Sequence, residues 1–103
     1  MTLFEFVSPE AGEESVQEVM RSDAVRIERI VSRGHSSPPD FWCDQPENEW
    51  VTVLSGAARL EFESGDPLDL LPGHHVDIPA HVRHRVAWTD PDQDTVWLAV
   101  FYS

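Results

Sequence analysis

Glu49-Trp50-Val51-Thr52-Val53-Leu54-Ser55-Gly56-Ala57-Ala58-Arg59-Leu60-Glu61-Phe62 is the stretch that decides the fold. Apolar and polar side chains alternate on both sides of Ser55-Gly56, the pattern of strands that bury one face. A two-residue turn there is expected to pair Leu54 with Ala57, Val53 with Ala58, Val51 with Leu60 and Glu49 with Phe62. Val51, Val53, Ala58, Leu60 and Phe62 then share an apolar face, and Arg59, Glu61 and Glu63 share the other. Glu49 falls on the apolar face. A carboxylate in that setting is costly unless it is paired, hydrogen-bonded or metal-bound, and left alone it is pushed toward its neutral form. The alternative is a strand that starts at a rim, so that Glu49 reaches water.

Outward from this stretch the chain reads as short strands punctuated by turns. The strands expected are Val25 to Ser32, Phe41 to Gln45, Glu49 to Leu54, Ala57 to Glu63, Leu68 to Leu70, His75 to Ile78, Val82 to Trp88 and Thr95 to Tyr102. Pro-Pro, Ser-Gly, Ser-Gly-Asp-Pro, Pro-Gly and Asp-Pro-Asp signals separate them, which favours a sandwich or barrel over an α/β fold. Pro9 to Met20 is the one helix predicted, capped by Ser8 and carrying Val16, Val19 and Met20 as an apolar stripe. The expected class is therefore all-β with a short N-terminal helix. Residues 1–24 form an appendage and residues 25–103 the single β domain, since 103 residues hold one compact core.

Composition narrows the partners. Nineteen acidic against seven basic residues give a net charge of −12, which repels phosphate backbones and anionic lipid surfaces, so neither nucleic acid nor membrane is expected. No apolar run approaches the roughly 20 residues of a membrane-spanning helix. The opening residues show no secretory signal and the single cysteine forms no internal disulfide, so a cytoplasmic location is expected.

Strand parity next picks out a histidine. Within Val82 to Trp88, the residues Val82, His84, Val86 and Trp88 lie on one face and Arg83 and Arg85 on the other. A neutral imidazole and a carboxylate on inner faces of different strands form a common metal-ligand set. Upstream, Phe41, Cys43 and Gln45 share the inner face if the register into Glu49 is unbroken. A bulge at Pro46 would put Trp42 and Asp44 inside instead.

These residues resemble the two sequence motifs of the cupin family. Glu49, six residues and Gly56 match the end of the first motif; Gly73, five residues, Pro79 and then His84 match the second, and the likeness covers roughly residues 34 to 88. The resemblance implies a double-stranded β-barrel, or jelly roll, with a divalent metal (Zn, Ni, Mn or Fe) inside. Cupins hold metal on two histidines and a glutamate of the first motif and a histidine of the second. Here the first-motif histidines fall on Cys43 and Gln45, or on Trp42 and Asp44, so only Glu49 and His84 transfer as ligands. Gln45 is a further candidate because phosphomannose isomerases, also cupins, use Gln, Glu and His. Cys43 is another through its thiolate, although a buried cysteine also serves as a small hydrophobe. His81 stands in place of a motif glycine and Trp88 in place of asparagine.

The functional expectation is a metal-binding cupin that acts on a small organic molecule entering beside Trp42, His81, Trp88 and Phe62. If catalytic, it would be a metal-assisted isomerase, lyase or hydrolase, since a two-histidine iron dioxygenase would have to recruit His81. The alternative is a metal-free sugar- or effector-binding module in which Glu49 and His84 form a hydrogen-bonded pair, and a scaffold role is a third reading. His74 and His75 belong to a turn, and nothing in the sequence fixes the direction of His35. Trp50 on an outer face hints at cover by the N-terminal helix or by a partner, and the cupin resemblance implies a homodimer, with Leu3 to Phe6 a candidate for strand exchange.

Overall fold

Eight strands form, and no helix does. The computed structural model describes residues 1–103, with β1 (Glu14–Arg21), β2 (Val25–Ser32), β3 (Asn48–Ser55), β4 (Ala58–Phe62), β5 (Leu68–Leu70), β6 (His75–Ile78), β7 (His84–Thr89) and β8 (Thr95–Tyr102). They build a five-stranded sheet in the order β1-β2-β8-β3-β6 and a three-stranded sheet in the order β5-β4-β7. Every neighbouring pair is antiparallel. The sheets meet as a jelly roll around one core of Val51, Val53, Ala58, Leu60, Leu70, Ile78, Trp97, Ala99 and Phe101. Each large apolar side chain buried there contributes about 1.5–3 kcal/mol of transfer free energy. With no helix present, none is long and apolar enough to cross a membrane.

The Ser55-Gly56 turn does not make the expected hairpin. β3 pairs with β6 and β8, and β4 pairs with β5 and β7, so the chain crosses from one sheet to the other at this point. Val51, Val53, Ala58 and Leu60 still point inward, because each sheet turns its apolar face to the same core. A two-stranded ribbon would have left that face in water, whereas the crossing lets the two strands cover it in opposite layers.

Three other expectations change for local reasons. The span read as a helix holds a turn and then β1. Gly12, in its middle, has φ +83°, a left-handed conformation that a helix does not contain. Val16 and Val19 are β-branched and suit a strand, and β1 pairs with β2 through a bulge between Glu18 and Met20. Residues 41–45 form no strand, and only Cys43 bridges to His84. Finally, β7 begins at His84 rather than Val82, which is 37% exposed, and it carries a bulge: Arg59 pairs with Trp88 but Leu60 with Val86. The additional residue Ala87 reverses the side-chain alternation, so Thr89 is buried and Trp88, expected inside with His84, lies on the outer face at 44% exposure.

Cross-strand ion pairs on the outer face of the smaller sheet fix its register. Arg59 meets Asp69 at 2.6 Å between β4 and β5, and Arg85 meets Glu61 at 3.1 Å between β7 and β4.

The crossing itself is tight. Gly56 has φ +92°, and a Cβ placed there would lie 2.5 Å from Thr95 Oγ1 and 2.8 Å from the Asp94 carbonyl oxygen. Thr95 is fully buried, and its hydroxyl donates to the Ala57 carbonyl, so it has nowhere to retreat. Gly56→Ala is expected to lower unfolding stability by about 2–5 kcal/mol, combining left-handed strain with overpacking. Urea denaturation against the wild type measures it, and a loss under ~1 kcal/mol would show that the corner relaxes freely.

Candidate functional site

Glu49 is the second residue of β3 and His84 the first of β7, in opposite sheets, and both turn into the space between them. The Glu49 side chain is 13% exposed and that of His84 8%, with His84 Nε2 3.6 Å from Glu49 Oε1. Segment 43–45 closes the site from the side. Backbone bonds in both directions tie Cys43 to His84, at 2.7 and 3.1 Å. Gln45 Nε2 then donates to Glu49 Oε1 at 3.0 Å, and the Cys43 thiol lies 3.6 Å from Gln45 Oε1. Cys43 and Gln45 thus share the inner side, while Asp44 faces outward and bonds His81 at 2.8 Å.

The imidazole is fixed by its other nitrogen. His84 Nδ1 lies 2.9 Å from the Val82 carbonyl oxygen, which only accepts, so Nδ1 carries the proton and the neutral ring presents the Nε2 lone pair to Glu49. While the ring is neutral, two acceptors face each other across 3.6 Å. A proton on Nε2, which the raised His84 pKa favours, makes the contact an ion pair, and a metal cation between the two atoms is the other way to satisfy them. Ligand bonds of about 2.1 Å at a tetrahedral ion place their donor atoms roughly 3.4 Å apart, close to the spacing here. The donors therefore suit the metal that the sequence resemblance implies. No three His, Cys, Asp or Glu side chains converge anywhere in the chain, so further ligands must come from Gln45 or water. Cys43 contributes less readily: burial, then the charges of Glu49 and Asp44, push its thiol pKa up and disfavour the thiolate.

A cavity of about 70 Å³ adjoins the pair, walled by Ile30, Val51, Leu60, Ile78, Val86 and Trp97, with Glu14 as its third polar residue beside Glu49 and His84. At about 30 Å³ per water it holds roughly two, far below the ~300 Å³ at which drug-sized pockets begin. None of Trp42, Phe62, His81 and Trp88, expected to line the pocket, is in its wall. Phe62 stands nearest, its ring 6.4 Å from that of His84. Trp42 is half-buried, and His81 is a surface residue with its side chain 68% exposed. Trp88 lines a larger, open depression of about 500 Å³ on the outer face, beside Arg59, Asp69 and Leu71. The smaller cavity is the candidate site, because the charges lining the larger one are taken up in the Arg59–Asp69 and Arg85–Glu61 pairs. Glu14, which also lies 3.7 Å from His35, escaped notice because its segment reads as helix.

Burial draws the His84 pKa down, but the Glu49 hydrogen bond, the Val82 carbonyl and the Glu49 charge together outweigh it, leaving the value above 6.5. In metal-free protein the pair therefore stabilises the fold fully below about pH 6.5 and loses that contribution as pH rises through the folded-state value. Glu49→Gln is expected to lower the His84 pKa, which NMR titration of the imidazole reads directly; an unchanged value would separate the two residues electrostatically.

A family model described as Cupin domain matches residues 28–101. No curated protein matches the chain. Among solved structures, a Ralstonia eutropha JMP134 protein provisionally named a mannose-6-phosphate isomerase is 46% identical, with a TM-score of 0.94 over 100% of this chain and 96% of that one. A cupin superfamily protein from Desulfitobacterium hafniense DCB-2 is 18% identical, with a TM-score of 0.76 over 93% and 83%. The DMSP lyase DddQ from Ruegeria pomeroyi DSS-3 is 21% identical, with a TM-score of 0.75 over 87% of this chain but 47% of its own. At that identity these last two speak to the fold alone.

Proposed function

The chain belongs to the cupin domain family, and from that premise we propose that it holds a divalent metal ion between Glu49 and His84 and presents it to a small, non-phosphorylated organic molecule. The observation that carries this reading is the approach of Glu49 Oε1 and His84 Nε2 to 3.6 Å beside a small, partly open and mostly apolar cavity. Gln45 would serve as a third ligand by turning its amide over, since its Nε2 donates to Glu49 Oε1 and its Oε1 lies beside the Cys43 thiol; water would fill the remaining positions. A divalent ion so placed supplies Lewis acidity toward a carbonyl or hydroxyl oxygen, which suits isomerisation, lyase or hydrolytic chemistry. Val82 holds the His84 ring in the ligating tautomer, and the apolar wall keeps water few, which strengthens electrostatic attraction inside.

Two features argue against a phosphorylated sugar, despite the name given to the similar Ralstonia protein. No arginine lines the cavity, the chain has no lysine, and the volume of about 70 Å³ is a fraction of a sugar phosphate's needs. An iron dioxygenase fits poorly as well, because His81, the second histidine it would recruit, is turned outward onto Asp44.

Thermal unfolding with and without Zn, Ni, Mn or Fe tests the proposal. At a metal concentration a hundredfold above Kd the stabilisation is about 2.7 kcal/mol, and it should vanish in Glu49→Ala and His84→Ala. Gln45→Ala should keep it with weaker affinity. Failure of every metal to raise the melting temperature would instead favour metal-free ligand binding by the Glu49–His84 pair.

A further inference from the structure

One residue of the chain other than glycine has a left-handed backbone, and it is His81, at φ +66°. It stands in the turn Pro79-Ala80-His81-Val82, closed by the Val82 N–H donating to the Pro79 carbonyl at 3.1 Å. A positive φ at the third position of such a turn favours glycine, because a Cβ there crowds the following carbonyl. Strain of this kind persists only where surrounding contacts enforce it. The contact made by this imidazole is with Asp44: Nδ1 donates to Asp44 Oδ1 at 2.8 Å, since the carboxylate only accepts.

The turn grips the segment before β3 through two further bonds. The His81 N–H donates to the Gln45 carbonyl at 2.8 Å, and the Ala80 N–H to Asn48 Oδ1 at 2.9 Å. At its other end the segment is tied by the backbone bonds between Cys43 and His84. Neighbouring side chains of this stretch leave on opposite sides: Gln45 Nε2 reaches inward to Glu49 Oε1 at 3.0 Å, and Asp44 reaches outward to His81. Holding Asp44 at the surface therefore holds Gln45 in the site. Rotation of the segment by one residue would remove the amide and bring a further carboxylate toward a wall that already carries Glu14 and Glu49, where like charges repel.

We propose that His81 is a positioning residue, whose imidazole latches Asp44 at the surface and so keeps the Gln45 amide against Glu49. Its consequence for metal affinity rests on the reading of Glu49, His84 and Gln45 as a metal site, whereas the latch itself belongs to the metal-free protein. The His81 and Asp44 side chains are 68% and 46% exposed, so their bond adds little to global stability. Its effect is local, and the left-handed strain at His81 sets the local and global effects against each other.

His81→Gly separates the two. Glycine relieves the turn and removes the latch, so the melting temperature of the metal-free protein is expected to hold or rise while the site loosens. Two-dimensional NMR of the metal-free protein reads the Gln45 side-chain amide, set apart from a solvated glutamine by its bond to Glu49. That resonance should move to the solvated position in His81→Gly and in Asp44→Ala, and should stay in Asp44→Asn, which keeps an acceptor for Nδ1. Metal affinity should fall about tenfold in the first two variants. An unmoved Gln45 amide in both of them, or a His81→Gly protein that loses melting temperature and site order together, would overturn the proposal. A moved amide with no metal response even in the wild type would uphold the latch and refute the metal reading instead.

Discussion

The chain passes from one sheet to the other at Gly56, pressed against the buried Thr95, and the interior of the barrel depends on that corner. Because the backbone turns there without a side chain, β3 and β4 leave in different sheets with their apolar faces still opposed. Val53 and Ala58, neighbours in sequence across the turn, become parts of the same core from two layers. The same geometry carries Glu49, at the far end of β3, into the space that β7 enters with His84.

Electrostatics around this core divide into two regimes. The seven cationic side chains are all arginine, and six of them meet a carboxylate: Arg21, Arg26, Arg33, Arg59, Arg83 and Arg85. The exposed pairs among them, those of Arg21, Arg59 and Arg83, are worth about 0–1 kcal/mol each. Arg29 differs: it is buried, donates to the Leu3 and Glu5 carbonyls and to Gln17, and straps the N-terminal segment to the outer face of the larger sheet. Inside, no arginine lines the cavity, and a single imidazole faces a carboxylate beside a mostly apolar wall. The surface therefore disperses charge, and the cavity concentrates it on one pair.

Much of the fold was legible because alternation is a local signal. Seven of the strands fall where apolar and polar residues alternate between turn residues, and the inward direction of Glu49 and His84 follows from that count together with motif spacing. The errors fall where a long-range choice overrides the local one. Val16, Val19 and Met20 fit a helical stripe as well as a strand, and only pairing with β2 selects the strand. Ala87 is inserted without any mark in the sequence, yet it sends Trp88 outward and empties the expected pocket of its indole. Glu14 could not be assigned to the cavity while its segment read as helix.

By itself, then, the sequence determined the all-β class, the family, and the two residues whose parity and motif spacing agree, since each of these rests on intervals of a few residues along the chain. The tertiary structure alone decided that Ser55-Gly56 is a crossing, that Gln45 donates to Glu49 while Asp44 turns away to His81, and that the cavity is as small as 70 Å³. Those outcomes depend on which strand lies beside which and on how far apart two layers settle. Packing and sheet register set both, and neither has a fixed interval in the sequence.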